Sequence, residues 1–266
     1  MHLFLKFLYH LKFPLFKRII PSLIKRIFFL NKNQIIKLSF GKIKLDLLQA
    51  IDREIYLNGF YEKEQLNFLN EICKKNQVSH FFDIGANIGY YSLFFKKIQN
   101  IYAFEPNKKN FSKLKENINL NSLNVNLYNF GLSNSNSEKE IWYTNKNKMG
   151  GSAIFDKNDP ELRKYNSKDI IIEKIFTKRL DDILKIKLSN ILIKIDVERH
   201  EKKVLEGMKK LISQNDIIMQ IEIGEEQKKD ISGGSFRECL SSKNFFPLAN
   251  RKMQEVIFQS EIGIFD

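Results

Sequence analysis

Two acids and two glycines in one short stretch carry most of the chemical information in this chain. The run Phe81-Phe82-Asp83-Ile84-Gly85-Ala86-Asn87-Ile88-Gly89-Tyr90-Tyr91 is followed by Ile101-Tyr102-Ala103-Phe104-Glu105-Pro106. It reads as a strand, a glycine turn, an amphipathic segment and a second strand that ends in an acid. That is the layout of a nucleotide-type cofactor site. Gly85 and Gly89 let the backbone turn sharply and let a ligand come close, with Ala86 and Asn87 between them. A helix after Gly89 would present free N–H groups and the positive end of its dipole to the ligand. Glu105, with Pro106 next to it, stands where an acid accepts hydrogen bonds from ribose hydroxyls.

The spacing narrows the choice of nucleotide. A dinucleotide fold wants G-x-G-x-x-G with an acid roughly 20 residues on. The acid is present, but Asn87 takes the place of the middle glycine. Asp83 is a poor neighbour for a pyrophosphate and a good one for a sulfonium and an amino group. S-adenosylmethionine carries both and has no phosphates. The bland alternative is an ordinary strand–turn–helix with a tight glycine turn.

The stretch Asp83–Tyr91 resembles the first motif of FkbM-type methyltransferases. Ala103-Phe104-Glu105-Pro106-Asn107 is similar to the second motif of that family. Thr177-Lys178-Arg179-Leu180-Asp181-Asp182-Ile183-Leu184 is similar to its T-L-D-D-L segment, and Lys194-Ile195-Asp196-Val197-Glu198 to its K-I-D-V-E-G motif. The resemblance covers roughly residues 55–225 in the right order. It implies an α/β fold: a doubly wound, mostly parallel sheet of the class I methyltransferase, Rossmann-like kind. It also implies S-adenosyl-L-methionine as cofactor and O-methylation of a sugar, a glycan or another small hydroxylated metabolite, as in glycan biosynthesis. One position departs from the family: Arg199 replaces the glycine expected after Glu198. A turn with φ > 0 there would strain an arginine.

In open α/β sheets ligands bind at the carboxyl ends of the strands. Glu105, Asp196 and Glu222 end three of the expected strands. Lys194, Asp196 and Glu198 alternate onto one side of their extended segment. Methyl transfer from sulfur to a hydroxyl needs oxygen, carbon and sulfur held in line, and a base near the hydroxyl proton. Asp196 is the first candidate base, with Glu198 and His200 next. The cofactor-binding set is Asp83, Gly85, Ala86, Asn87, Gly89, Glu105 and Pro106. The competing structural roles are a helix N-cap for Asp196 and a surface helix position for His200. No metal is expected.

These residues must be positioned by alternating elements. Expected strands at 78–84, 100–104, 124–130, 190–196 and 216–223 alternate with helices at 61–75, 88–98, 107–121 and 201–213. A hairpin is expected over 35–47 and an inserted β segment within 131–175, with a glycine loop at Met149-Gly150-Gly151-Ser152-Ala153. A terminal helix at 235–243 and strands at 245–249 and 255–260 complete the pattern, which implies a parallel sheet covered on both faces.

Composition bounds the rest. At 266 residues and 43% hydrophobic content, one α/β domain with an extension fits. The two cysteines and four histidines show no metal or disulfide spacing. The net charge of +13 is concentrated: residues 1–45 hold ten Lys/Arg and no acid. The reading is therefore a basic amphipathic arm over 1–33 and a methyltransferase domain over 34–266. The arm's apolar runs are too interrupted for a membrane span or a signal peptide. Pro21 opens an expected helix over 22–30, with Leu23, Ile24, Ile27 and Phe28 on one side and Lys17, Arg18, Lys25 and Lys32 on the other. Contact with an anionic membrane surface competes with packing against the domain. The location expected is the cytoplasm, at most peripheral to the inner membrane face. An RNA methyltransferase and a cofactor-binding protein without activity are the alternatives. All five prolines are isolated and no Pro-Cys pair occurs, which argues against a nucleic-acid substrate.

Overall fold

The computed structural model describes residues 9–10, 14–28, 33–144, 170–222, 245–247 and 255–260. Helix α1 (Pro14–Ile27) leads into a hairpin of β1 (Asn33–Leu38) and β2 (Gly41–Asp46), then helices α2 (Ala50–Asn58) and α3 (Lys63–Lys75). The βα alternation follows with β3 (His80–Ile84), α4 (Tyr90–Phe94), β4 (Asn100–Phe104), α5 (Lys108–Leu120) and β5 (Asn126–Tyr128). Three strands, β6 (Gly131–Leu132), β7 (Ser137–Thr144) and β8 (Ile170–Lys178), form a separate small sheet in the order β6-β8-β7. The chain then gives α6 (Leu180–Ile183), β9 (Asn190–Ile195), α7 (Glu201–Glu206), α8 (Lys209–Gln214) and β10 (Asp216–Glu222), and lastly β11 (Phe245–Pro247) and β12 (Glu255–Ser260).

The main sheet has the order β11-β12-β10-β9-β3-β4-β5. From β10 to β5 the pairs are parallel, and β12 runs antiparallel to β10. Its central strands are apolar on both faces, as a parallel sheet covered twice requires. Period-two alternation sorts them. Phe81, Ile101 and Leu192 enter one core with the N-terminal helices, the hairpin and α5, while Phe82, Phe104, Ile191 and Ile193 enter the other with α7 and α8. Both cores are closed, so this is the expected doubly wound fold. The chain returns from β5 to β9 on the far side of β3, so the order reverses between β3 and β9. That switch point is where such sheets bind ligands.

Three expectations shift. Helix α1 begins at Pro14 rather than at Pro21, which lies inside it. Pro14 takes the first helical position, where a missing N–H costs nothing. Pro21 removes one internal hydrogen bond, and burial of Ile20, Ile24 and Phe28 offsets that loss. Helix α4 spans only Tyr90–Phe94 instead of 88–98. The helix expected over 201–213 is two short ones. They meet at Gly207, where a Cβ would lie 1.9 Å from the Ser133 carbonyl oxygen so that only glycine fits, and Asp181 accepts the Lys210 and Leu211 N–H groups at the start of α8. Helix α2 was not read from the sequence at all. The terminal helix at 235–243 and the glycine loop at 149–153 lie outside the described residues.

Helix α1 belongs to the first core, with Phe28 edge-on to Tyr56 at 6.0 Å. Ile24→Ala is therefore expected to cost about 2–5 kcal/mol in urea unfolding, the range for emptying a closed core site. An unchanged midpoint would show that α1 does not pack on the domain.

Candidate functional site

The turn after β3 is tied down by its backbone. The Gly85 and Ala86 N–H groups both donate to the Phe104 carbonyl at 3.0 Å. Gly85 has φ +79, and a Cβ on it would lie 1.8 Å from the Asp196 carbonyl oxygen, so only glycine fits. Asn87 is also left-handed, at φ 50, a conformation asparagine tolerates. Gly89, at φ 84, sits against Leu114 of α5. Glu105 crosses the turn: Oε2 accepts the Asn87 N–H and Oε1 the Asn107 N–H, each at 2.9 Å. Burial pushes the Glu105 carboxyl up to about 7, against the pull of those two N–H groups and of Lys194. Gly85 and Asn87 are half-buried, so the turn shows its backbone to the cleft. Ala86 is buried, and Pro106 packs near Gly131.

Asp83 does not line the cleft, contrary to the sequence reading. It is fully buried, and its Oδ2 accepts the Ser92 N–H at 3.0 Å and the Ser92 hydroxyl at 2.6 Å. Its Oδ1 is buried without a hydrogen-bond partner. Burial raises the Asp83 pKa, while Lys194 and the Ser92 bonds oppose the rise. The Ser92 N–H, in the first turn of α4, is thus spent on Asp83, and that five-residue helix offers little dipole to a ligand.

On the paired strand β9, Lys194 lies beside Asp83 in register. Its Nζ donates to Asp196 Oδ2 at 2.9 Å and to the Gly85 carbonyl at 3.2 Å, and sits 5.2 Å from the Tyr91 ring centre. Burial works against the charge on Lys194, but Asp196 and Asp83 outweigh it and hold its pKa above the usual lysine value. The side chain of Asp196 is 35% exposed, so its carboxylate stays open to solvent while Lys194 holds one oxygen.

The loop after Asp196 separates the other two candidates. Glu198 is exposed at its outer edge. Partial loss of water raises its pKa, with repulsion from Asp196 and Glu201 adding to the rise. Glu198 and Arg199 are both left-handed, at φ 47 and φ 72. The position where the family has glycine therefore does need φ > 0. The Arg199 N–H is held by Glu201 Oε1 at 3.0 Å. His200 is not a surface residue: it is buried, with Nε2 3.0 Å from the Ser133 hydroxyl. Burial, with Lys203 and Lys139, lowers its pKa to about 4. Its ring is neutral at pH 7 and joins the start of α7 to the loop after β6.

Sequence reasoning passed over three contributors. The sequence puts Lys194 on the same side of its strand as Asp196 and Glu198 but gives it no role, yet it is the cation on which the acids converge. Tyr91 donates its hydroxyl to Glu62 Oε2 at 2.6 Å and accepts from Gln220 at 3.2 Å, linking α3, α4 and β10. Glu173 of β8 accepts from the Asn107 side chain at 3.0 Å and from the Lys108 N–H at 3.2 Å, docking the inserted sheet beside Glu105. No local pattern announces such long-range pairs. Among the described residues, no group of three or more His, Cys, Asp or Glu is arranged to hold a metal ion.

Electrostatically the site couples Asp83, Glu105 and Asp196 to Lys194. A bare glycine turn, a carboxylate held at the end of the second strand and an excess of acid suit a cationic ligand with ribose hydroxyls. They do not suit a pyrophosphate, which wants N–H donors and cations. The residues therefore fit S-adenosylmethionine.

Comparisons with known proteins show what the chain is similar to. A family model described as the Methyltransferase FkbM domain matches residues 83–247. The hexuronic acid methyltransferase AglP of Haloferax volcanii is 26% identical over 168 residues, which are 63% of this chain and 65% of AglP. The chain thus aligns with less than two thirds of that relative's length. Among solved structures, the methyltransferase FkbM from Methylobacillus flagellatus KT gives a TM-score of 0.45 at 14% identity, over 68% of this chain and 43% of that one. The M. jannaschii TYW2 structure in complex with AdoMet gives a TM-score of 0.45 at 13% identity, over 86% and 85%.

The Arg199 turn has a measurable consequence. A side chain in the left-handed region costs about 1–2 kcal/mol, partly offset by the larger entropy glycine loses on folding. Arg199→Gly is expected to stabilise the protein by about 0.5–1 kcal/mol in chemical unfolding. A loss of stability would mean that the arginine's contacts outweigh the strain.

Proposed function

Because the chain belongs to the FkbM methyltransferase domain family, we propose that it is an S-adenosylmethionine-dependent O-methyltransferase. Its acceptor in this proposal is a hydroxyl of a sugar, a glycan or another small hydroxylated metabolite. The observation that carries the proposal is the Lys194–Asp196 pair beside Gly85, at the carboxyl ends of β3 and β9. That AglP is a hexuronic acid methyltransferase supports a sugar acceptor. The proposal places the enzyme in the cytoplasm. No helix among the described residues is long and apolar enough to cross a membrane.

When bound, S-adenosylmethionine supplies a methyl group on a positively charged sulfur that becomes a neutral thioether. Glu105 accepts the ribose hydroxyl hydrogen bonds, since its two oxygens keep lone pairs beyond those bonded to Asn87 and Asn107. Gly85 and Asn87 bring backbone close to the ligand. Asp83 anchors the turn from beneath through Ser92 and balances Lys194. Asp196 acts as the base: with Oδ2 held by Lys194, Oδ1 is left to meet the acceptor hydroxyl. Asp196 would take the proton of the acceptor hydroxyl as that oxygen receives the methyl group the cofactor would supply. Lys194 keeps the carboxylate in one orientation, which aligns the attacking oxygen. Glu198, at the outer edge, is placed to contact the acceptor rather than to take its proton.

Two results are expected. Asp196→Asn lowers turnover by about 10²–10⁴-fold, the usual share of a positioned base, with S-adenosylhomocysteine affinity nearly unchanged in calorimetry. Turnover that survives would place the base elsewhere. The second concerns pH. Only ionised Glu105 accepts both ribose hydroxyls, and its pKa is raised to about 7. Binding therefore costs a proton below that pH. Affinity for S-adenosylhomocysteine is expected to be flat above pH 7 and to fall toward about tenfold per unit below it. Glu105→Gln should weaken binding and flatten that profile.

A further inference from the structure

The N-terminal surface is the strongest feature that methyl transfer leaves without a role. Of residues 1–45, ten are Lys or Arg and none is acidic. Helix α1 turns Ile20, Ile24 and Phe28 into the core. Its other side shows Ile19, 48% exposed, and Leu23, 40% exposed, one turn apart. Ser22 and Arg26 are exposed beside them. The hairpin repeats the combination. Ile35 is 58% exposed, and Lys37 follows two residues later on the same face. Across the pair, Lys42 lies opposite Lys37 and Lys44 opposite Ile35. Lys44 is paired with Glu116 at 2.6 Å, while Lys37 and Lys42 are exposed.

Single exposed aliphatic residues are ordinary. Here a pair at helical spacing and a third on the hairpin occur within a segment that has ten cations and no acid, and the helix already has a separate buried face. We propose that this surface, centred on Ile19 and Leu23 of α1, docks on an anionic lipid bilayer. The aliphatic side chains of α1 enter the headgroup layer while Arg26 beside them meets lipid phosphates. The contact is peripheral. An RNA partner would use the same cations, but it stacks bases on aromatic rings and gains little from aliphatic ones. Among the described residues of this segment, the exposed large apolar side chains are Ile19, Leu23 and Ile35, all aliphatic. The proposal does not depend on the methyl-transfer reading.

Vesicle co-sedimentation of the whole chain tests it. Vesicles of phosphatidylcholine with about 30% phosphatidylglycerol should bind the protein, pure phosphatidylcholine should not, and added salt should release it. The double variant Ile19→Ser/Leu23→Ser should weaken binding about tenfold. Its melting temperature, and its shift with S-adenosylhomocysteine, should stay at the wild-type values because both side chains lie outside the core. Absence of binding to the anionic vesicles overturns the proposal, as does binding that the double variant leaves unchanged. Single-stranded RNA of about 30 nucleotides that displaces the vesicles, and binds wild type and variant equally, also overturns it and makes the surface a nucleic-acid site.

Discussion

The site depends on one close approach: the Gly85 turn lies directly against the backbone of Asp196. Asp196 donates its N–H to Ile84 at 3.0 Å, and Lys194 ties the Gly85 carbonyl to the Asp196 carboxylate. Because a Cβ at Gly85 would sit inside the Asp196 carbonyl, the two loops that open the cleft are fixed to each other before any ligand arrives. The fixing group is a buried ammonium. Left alone it would cost several kcal/mol, so its partners are a requirement of the fold as well as of chemistry. Asp83 and Asp196 meet that requirement from below and from the cleft side. One carboxylate in the core and one at the surface thus belong to a single charge balance.

Glu105 shows the same economy. Its carboxylate joins the first turn to the start of α5, and its buried setting raises its pKa toward neutrality. A carboxylate in this state has a reason to take up hydroxyl donors. The inserted sheet adds Glu173 to the N-cap residue Asn107, so the element least regular in sequence docks against the last residue of the second motif. His200 shows the opposite case: an imidazole that sequence spacing places next to the acids is drawn into the core by Ser133 and kept neutral.

The sheet was legible in the sequence because its strands are short apolar runs separated by amphipathic stretches. Their boundaries fell within a few residues, and the glycine turn and terminal acid announced the switch point. What was not legible has a common physical cause: it is decided by contacts between distant residues. The helix over 201–213 is interrupted at Gly207, where the loop carrying Ser133 comes too close for any side chain. Asp83 reads as a ligand contact until Ser92 and Lys194 are seen around it. Lys194 reads as sharing a face with Asp196, and its second acid, Asp83, is seen only once the strands are paired. Arg199 was legible as an anomaly, and the positive φ it occupies is the conformation that made it one. The arm was legible in its charge but not in its packing, since Ile20 and Ile24 alternate with residues that stay outside.

The most direct test of the central claim is thermal unfolding of the purified chain with S-adenosylhomocysteine and, separately, with NAD. Ligand at 100 times its dissociation constant adds about 2.7 kcal/mol, a rise of roughly 5–10 °C for a domain of this size. S-adenosylhomocysteine should give that rise and NAD none. A rise with NAD alone, or with neither ligand, would contradict a sulfonium-cofactor site at the β3–β9 switch point.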